Sequence, residues 1–115
     1  MPRSGSDPRV GQVEPPLASP GVEIGELQDV IERTYGARDR ARPISATVAW
    51  LAEEVGELAQ AVRKGTPAQQ RHEFADVLAW VATLANQVGV DLDEALAGYA
   101  KGCPKCAALP CVCPA

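Results

Sequence analysis

Apolar residues recur along the middle of this chain at steps of three and four. Ile44, Val48, Leu51, Val55, Leu58 and Val62 draw one stripe along a helix, and Phe74, Val77, Val81, Leu84 and Val88 draw a second. The first of these helices is predicted from near Ser45 to Gly65, where the glycine would supply a left-handed stop. The second opens with Thr66 as N-cap, Pro67 in the first turn and Gln69 three residues after the cap, a capping-box arrangement, and closes at Gly89. An earlier helical pattern begins at Val22 and stops at Gly36, leaving Arg38 to Pro43 as a basic connection. Asp91 followed by Glu94 reads as another capping box, opening a short helix to about Lys101. No segment alternates as a strand does. The expected fold class is all-α, an antiparallel bundle of about four helices with short connections.

Residues 1–20 break this pattern with Pro2, Pro8, Pro15, Pro16 and Pro20, and are read as a disordered leader. Residues 21–102 then form the helical domain, and residues 103–115 a cysteine-rich tail. So short a domain buries a modest share of its surface, so its core is expected to be completed by homo-oligomerisation, as dimer or tetramer. A net charge of −4 with no basic run argues against nucleic acid and anionic membranes as partners. No apolar stretch approaches the roughly 20 residues that cross a bilayer, and the start lacks the apolar region of a signal peptide, so a cytoplasmic location is expected.

The acidic residues point to a specific chemistry. Two helices joined tightly at Gly65 run antiparallel, so residues equidistant from Gly65 lie at one height. Glu54 with Asp76, Glu57 with Glu73, and Trp50 with Trp80 all satisfy this. Within each helix the carboxylates are three apart, hence on one face, and all four sit to the same side of their own apolar stripe. That common sign turns the two acidic flanks both toward each other or both away. Solvated acids on helices usually have Lys or Arg three or four residues off, yet no Lys or Arg occurs between Ile44 and Val62 or between Glu73 and Ala100. An external cation is implied, and all-oxygen donors suit Mg²⁺ or Mn²⁺. A di-iron bundle would need Glu-x-x-His motifs, which are missing. The single histidine, His72, lies off the carboxylate flank by helical phase and is expected to face solvent.

Glu53-Glu54-Val55-Gly56-Glu57-Leu58 followed by Glu73-Phe74-Ala75-Asp76-Val77-Leu78 resembles the EExxE and ExxD signature of MazG-like nucleotide pyrophosphohydrolases. Leu84 to Leu92 is also similar to the segment that follows it in that family. The resemblance spans roughly residues 22 to 105 and implies hydrolysis of a nucleoside or deoxynucleoside triphosphate to monophosphate and pyrophosphate, as in nucleotide-pool housecleaning. It implies Glu54, Glu57, Glu73 and Asp76 as Mg²⁺ ligands, with Glu53 left as the acid that orients or deprotonates the attacking water. Trp50 and Trp80, one rung beyond the ligands, form a candidate stacking platform for the nucleobase. The family commonly places a basic residue on its last helix to contact phosphate, and here only Lys101 is available, because Arg63, Lys64 and Arg71 lie near the Gly65 turn.

Cys103, Cys106, Cys111 and Cys113 supply four thiols in the tail, a structural zinc pattern whose four-residue spacer is unusually short. A redox-active or unliganded tail is the alternative. For the whole chain two other functions stand beside the first: a phosphoribosyl-ATP pyrophosphohydrolase, and a non-catalytic module that uses its acids and cysteines for metal-dependent assembly.

Overall fold

The computed structural model describes residues 21–115, and the leader expected over residues 1–20 lies outside the described residues. Four α-helices follow one another: α1 (Ile24–Arg40), α2 (Ile44–Lys64), α3 (Pro67–Val88) and α4 (Leu92–Ala95), with a 3-10 turn at Ala97–Tyr99 and no strand among the described residues. The start of α3 is the predicted one. Thr66 Oγ1 accepts from the Gln69 amide at 3.2 Å while the Thr66 amide donates to Gln69 Oε1 at 2.8 Å, and Pro67 occupies the first turn, where no amide donor is needed. Its end is also as predicted: Gly89 takes the left-handed conformation (φ +76°), and the amides of Gly89 and Val90 both converge on the Ala85 carbonyl.

Other boundaries differ from the sequence reading. Gly65 ends α2 in an extended conformation (φ −93°, ψ 175°), because the chain must pass directly into Thr66, itself extended at φ −81° as an N-cap requires. Glycine is needed there for room: a Cβ would lie 2.7 Å from the Ala61 carbonyl oxygen. Helix α1 runs through Gly36 to Arg40. A glycine inside a helix costs about 1 kcal/mol, and here buried Gly36 is flanked by the Arg40–Glu32 ion pair, which ties the last turn back. Pro43 disfavours helical backbone at Arg42, so the connection shrinks to residues 41–43. The last predicted helix is broken at Leu96, where Pro104 packs so closely on Gly98 that a Cβ there would stand 3.2 Å from it.

Helix α3 is central, with α2 on one flank and α1 on another, and α4 packs on α1. Asn86 and Gln87 are neighbours in α3, yet Asn86 Nδ2 donates to the Gln28 carbonyl (3.2 Å) and Gln87 Nε2 to the Asp39 carbonyl (2.7 Å). Those carbonyls stand about 16 Å apart along α1 by helix rise, so α1 crosses the C-terminal half of α3 steeply. The Gln28 side chain also pins the turn into α4, donating to Val90 O at 2.7 Å and accepting from Leu92 N at 2.9 Å. The core sits at this crossing, with Ile31, Trp80 and Ala82 buried among Leu27, Tyr35, Trp50, Leu51, Ala79 and Leu92.

Between α2 and α3 the polarity is inverted. Glu54, Glu73, Ala61 and Trp80 are buried in the hairpin, whereas Ile44, Val48, Val55, Val62, Phe74 and Val88 are each about half exposed. The sign relation noted in the sequence therefore resolves inward for the acids, and mirror geometry puts both apolar stripes on the same side of the hairpin. None of the described helices is long and apolar enough to cross a membrane.

Candidate functional site

The acids arise from both arms of the hairpin. Glu54 and Glu57 occupy successive turns of α2, Glu73 and Asp76 successive turns of α3, and the short Gly65–Thr66 link holds the arms in register. Glu54 is fully buried and Glu73 nearly so, while Glu57 and Asp76 are partly exposed. Carboxylate oxygens of Glu54, Glu57 and Glu73 all lie within 4.8 Å of one another. At an effective dielectric constant near 20, two like charges at that separation repel by about 3 kcal/mol, a repulsion that a cation between them would offset. The donor set fits Mg²⁺ in kind, since every candidate ligand atom is a carboxylate oxygen. Glu53, on the outer side of α2, is exposed.

Asp76 has a neighbour that the helical-phase argument missed. His72, expected in solvent, is only 17% exposed, with Nε2 3.5 Å from Asp76 Oδ2. Side chains lean toward the helix N-terminus, so Asp76 bends back over the residue one turn earlier, and the i, i+4 spacing was the available signal.

One rung further from the turn, the two indoles meet edge to face, with centroids 5.4 Å apart and ring planes at 83°. The Arg42 guanidinium lies 5.0 Å from the Trp50 ring centre and 5.2 Å from that of Trp80. Arg42 also pairs with Asp39 at 3.0 Å, their side chains 9% and 3% exposed, and reaches Thr47 Oγ1 at 3.5 Å. Trp80 is wholly enclosed, which leaves it no face for a nucleobase. Trp50 is partly exposed and borders a shallow cavity lined by Arg38, Ala41 and Arg42. Arg42 was hidden in the sequence because residues 38–43 read only as a basic connection between helices.

Lys101 is exposed on the segment after the 3-10 turn. The carboxylates belong to the N-terminal half of α3, and about 18 Å of helix separates Asp76 from the end of α3 at Val88. At the tail, the sulfurs of Cys103, Cys106, Cys111 and Cys113 come within 4.8 Å of one another. Backbone amides of Val112 and Ala108 hold the Cys106 thiol down to about 6, those of Cys106 and Lys105 lower Cys103, and the crowd of neighbouring sulfurs, Cys111 first, raises Cys113 to about 11.

With this geometry in view, the family model of the MazG nucleotide pyrophosphohydrolase domain matches residues 42–104, more than half of the 115-residue chain. The match runs from the α1–α2 connection through both acidic arms. No curated protein matches the chain.

Proposed function

The chain belongs to the MazG nucleotide pyrophosphohydrolase family, and from that premise we propose that it cleaves a nucleoside or deoxynucleoside triphosphate to the monophosphate and pyrophosphate in cytoplasmic nucleotide-pool housecleaning. The observation that carries this reading is the convergence of Glu54, Glu57 and Glu73 from two helices onto one buried point. Glu54, Glu57, Glu73 and Asp76 are the residues that would hold Mg²⁺ or Mn²⁺. When bound there, the ion supplies charge neutralisation for triphosphate oxygens and acidifies a water.

The remaining roles fall to the chain's own groups. His72, with Nε2 3.5 Å from Asp76 Oδ2, would limit how far that carboxylate can turn. Glu53, one residue from Glu54 and open to solvent, is placed to orient a water or accept its proton. Trp50 offers the nucleobase a stacking surface backed by Trp80 and Arg42, and such stacking contributes about 1 to 3 kcal/mol per base. Lys101 would meet a phosphate of a site on a neighbouring copy, given its place beyond α3. A homo-oligomer is supported by the apolar surface over Val48, Val55, Val62 and Phe74, about half exposed in a single chain.

The test is pyrophosphate release with Mg²⁺ across the common ribo- and deoxynucleotides, dUTP, oxidised or methylated analogues and phosphoribosyl-ATP. Release from at least one triphosphate, abolished by chelation, is expected. Release from phosphoribosyl-ATP alone would reassign the substrate. No release from any compound, with Mg²⁺ still changing the oligomeric state, would leave only the assembly-module reading.

A further inference from the structure

We propose that Cys103, Cys106, Cys111 and Cys113 bind a single zinc ion in a closed tetrahedral site that holds the C-terminal segment folded against the 3-10 turn. The distances carry this first. Cys103 Sγ and Cys113 Sγ are 3.8 Å apart, as are Cys106 Sγ and Cys111 Sγ, and all four sulfurs lie within 4.8 Å of one another. A tetrahedron with Zn–S bonds of about 2.3 Å has edges of about 3.8 Å, whereas a disulfide brings its sulfurs to about 2.05 Å. The thiols are thus spaced for one shared ion, with no room for an inserted iron–sulfur cluster.

The backbone is built around the same four atoms. The Lys105 amide points at Cys103 Sγ (3.4 Å) and the Cys113 amide at Cys111 Sγ (3.3 Å), so the first cysteine of each pair receives an N–H from two residues on. Such donors favour thiolate, the form a metal binds. The loop between the pairs closes on itself, with Ala107 N donating to Cys103 O at 2.7 Å and Cys103 N to Ala108 O at 3.0 Å. Ala107 takes φ +62°, a conformation that a side chain disfavours and that persists only where its surroundings fix it.

Burial of apolar surface does not hold the segment together: Leu109 is 85% and Val112 74% exposed. A tail of this length without a core needs another source of order, and of the two that cysteines supply, disulfide and metal, the sulfur separations match the metal. Pro104, between the first two cysteines, rests on Gly98 and so connects the site to the helical domain. Four protein ligands leave no open position, so the ion is structural. Donor chemistry also keeps the two metals apart, since thiolates select zinc and carboxylates Mg²⁺. The proposal does not rest on the nucleotide reading, because it is tested without substrate.

The test uses the 115-residue chain, produced with zinc and purified under reducing conditions. Elemental analysis after gel filtration should find one zinc per chain, and replacement by Co²⁺ should give the intense visible d–d and thiolate charge-transfer bands of tetrahedral sulfur ligation. Cys106→Ser and Cys111→Ser should each lose the zinc, keep the helical circular dichroism, and be cut by trypsin after Lys101 and Lys105 about tenfold faster than the parent. Iron in place of zinc, full zinc retention in either variant, a cobalt spectrum without thiolate bands, or a mass showing disulfides in the reduced preparation would each overturn it.

Discussion

Replacing Glu57 by Gln tests the inward-facing acids most directly, because it removes a charge while keeping the side chain's shape. Glu57 shares a 4.8 Å sphere with Glu54 and Glu73, so the substitution deletes two of the three like-charge pairs. Glu57 is partly exposed, which places each pair nearer the water-screened end of the scale, at about 1 kcal/mol. Relief of two pairs then stabilises the metal-free protein by about 2 kcal/mol. For a domain of about 95 residues the unfolding entropy is about 0.2 kcal/mol/K, so the midpoint should rise by about 10 °C in chelator. Mg²⁺ should reverse the order. At a concentration of about 100 Kd it adds about 2.7 kcal/mol to the parent, roughly 13 °C, and little to the variant. Thermal melts followed by far-ultraviolet circular dichroism, with chelator and with saturating Mg²⁺, give all four numbers. A lower metal-free midpoint in Glu57→Gln, or an undiminished Mg²⁺ response, would refute the shared cation site. Glu53→Gln, on the exposed side of the same helix, should shift the metal-free midpoint by less than about 2 °C.

Asp76→Asn should reduce pyrophosphate release at least about 100-fold while leaving the far-ultraviolet spectrum intact, read by steady-state assay at saturating Mg²⁺. Arg42→Met should cost about 3 to 5 kcal/mol in urea unfolding, because it strands the Asp39 carboxylate, 3% exposed, without its counter-ion. Trp50→Ala should raise KM about 10-fold or more with a smaller change in kcat, as expected for lost stacking on the base. Val62→Lys combined with Phe74→Lys should shift the mass seen by light scattering to that of one chain, since both positions are about half exposed on the apolar side of the hairpin.

The parts of the fold legible in the sequence were those governed by local chemistry. The Thr66–Pro67–Gln69 box and Gly89 specify the two ends of α3 through hydrogen bonds and backbone conformation within a few residues. The proximity of Glu57 and Glu73, matched about Gly65, was legible because an antiparallel hairpin obeys a simple symmetry; the cluster joins Glu54 to that pair, while Asp76, the partner expected for Glu54 at its own height, lies outside it. What the symmetry left open, whether the acids face in or out, is a matter of how the helices pack over long range. The passage of α1 through Gly36 escaped for the same reason: tertiary burial outweighed a local preference of about 1 kcal/mol. Arg42 and His72 were missed because their environments come from other elements or from the lean of a side chain, which a count of residues per turn does not register.

The two-residue link at Gly65 and Thr66 serves as the gauge of the whole centre. Ala61 crowds Gly65 on one side and the capping box grips Thr66 on the other, so neither residue has slack to absorb a change in length. One inserted residue that passed into α3 would rotate every side chain beyond it by about 100° and advance it about 1.5 Å. Glu73 and Asp76 would swing out of the seam while Glu54 and Glu57 stayed behind. The length of this link therefore sets whether the two acidic arms face each other at all.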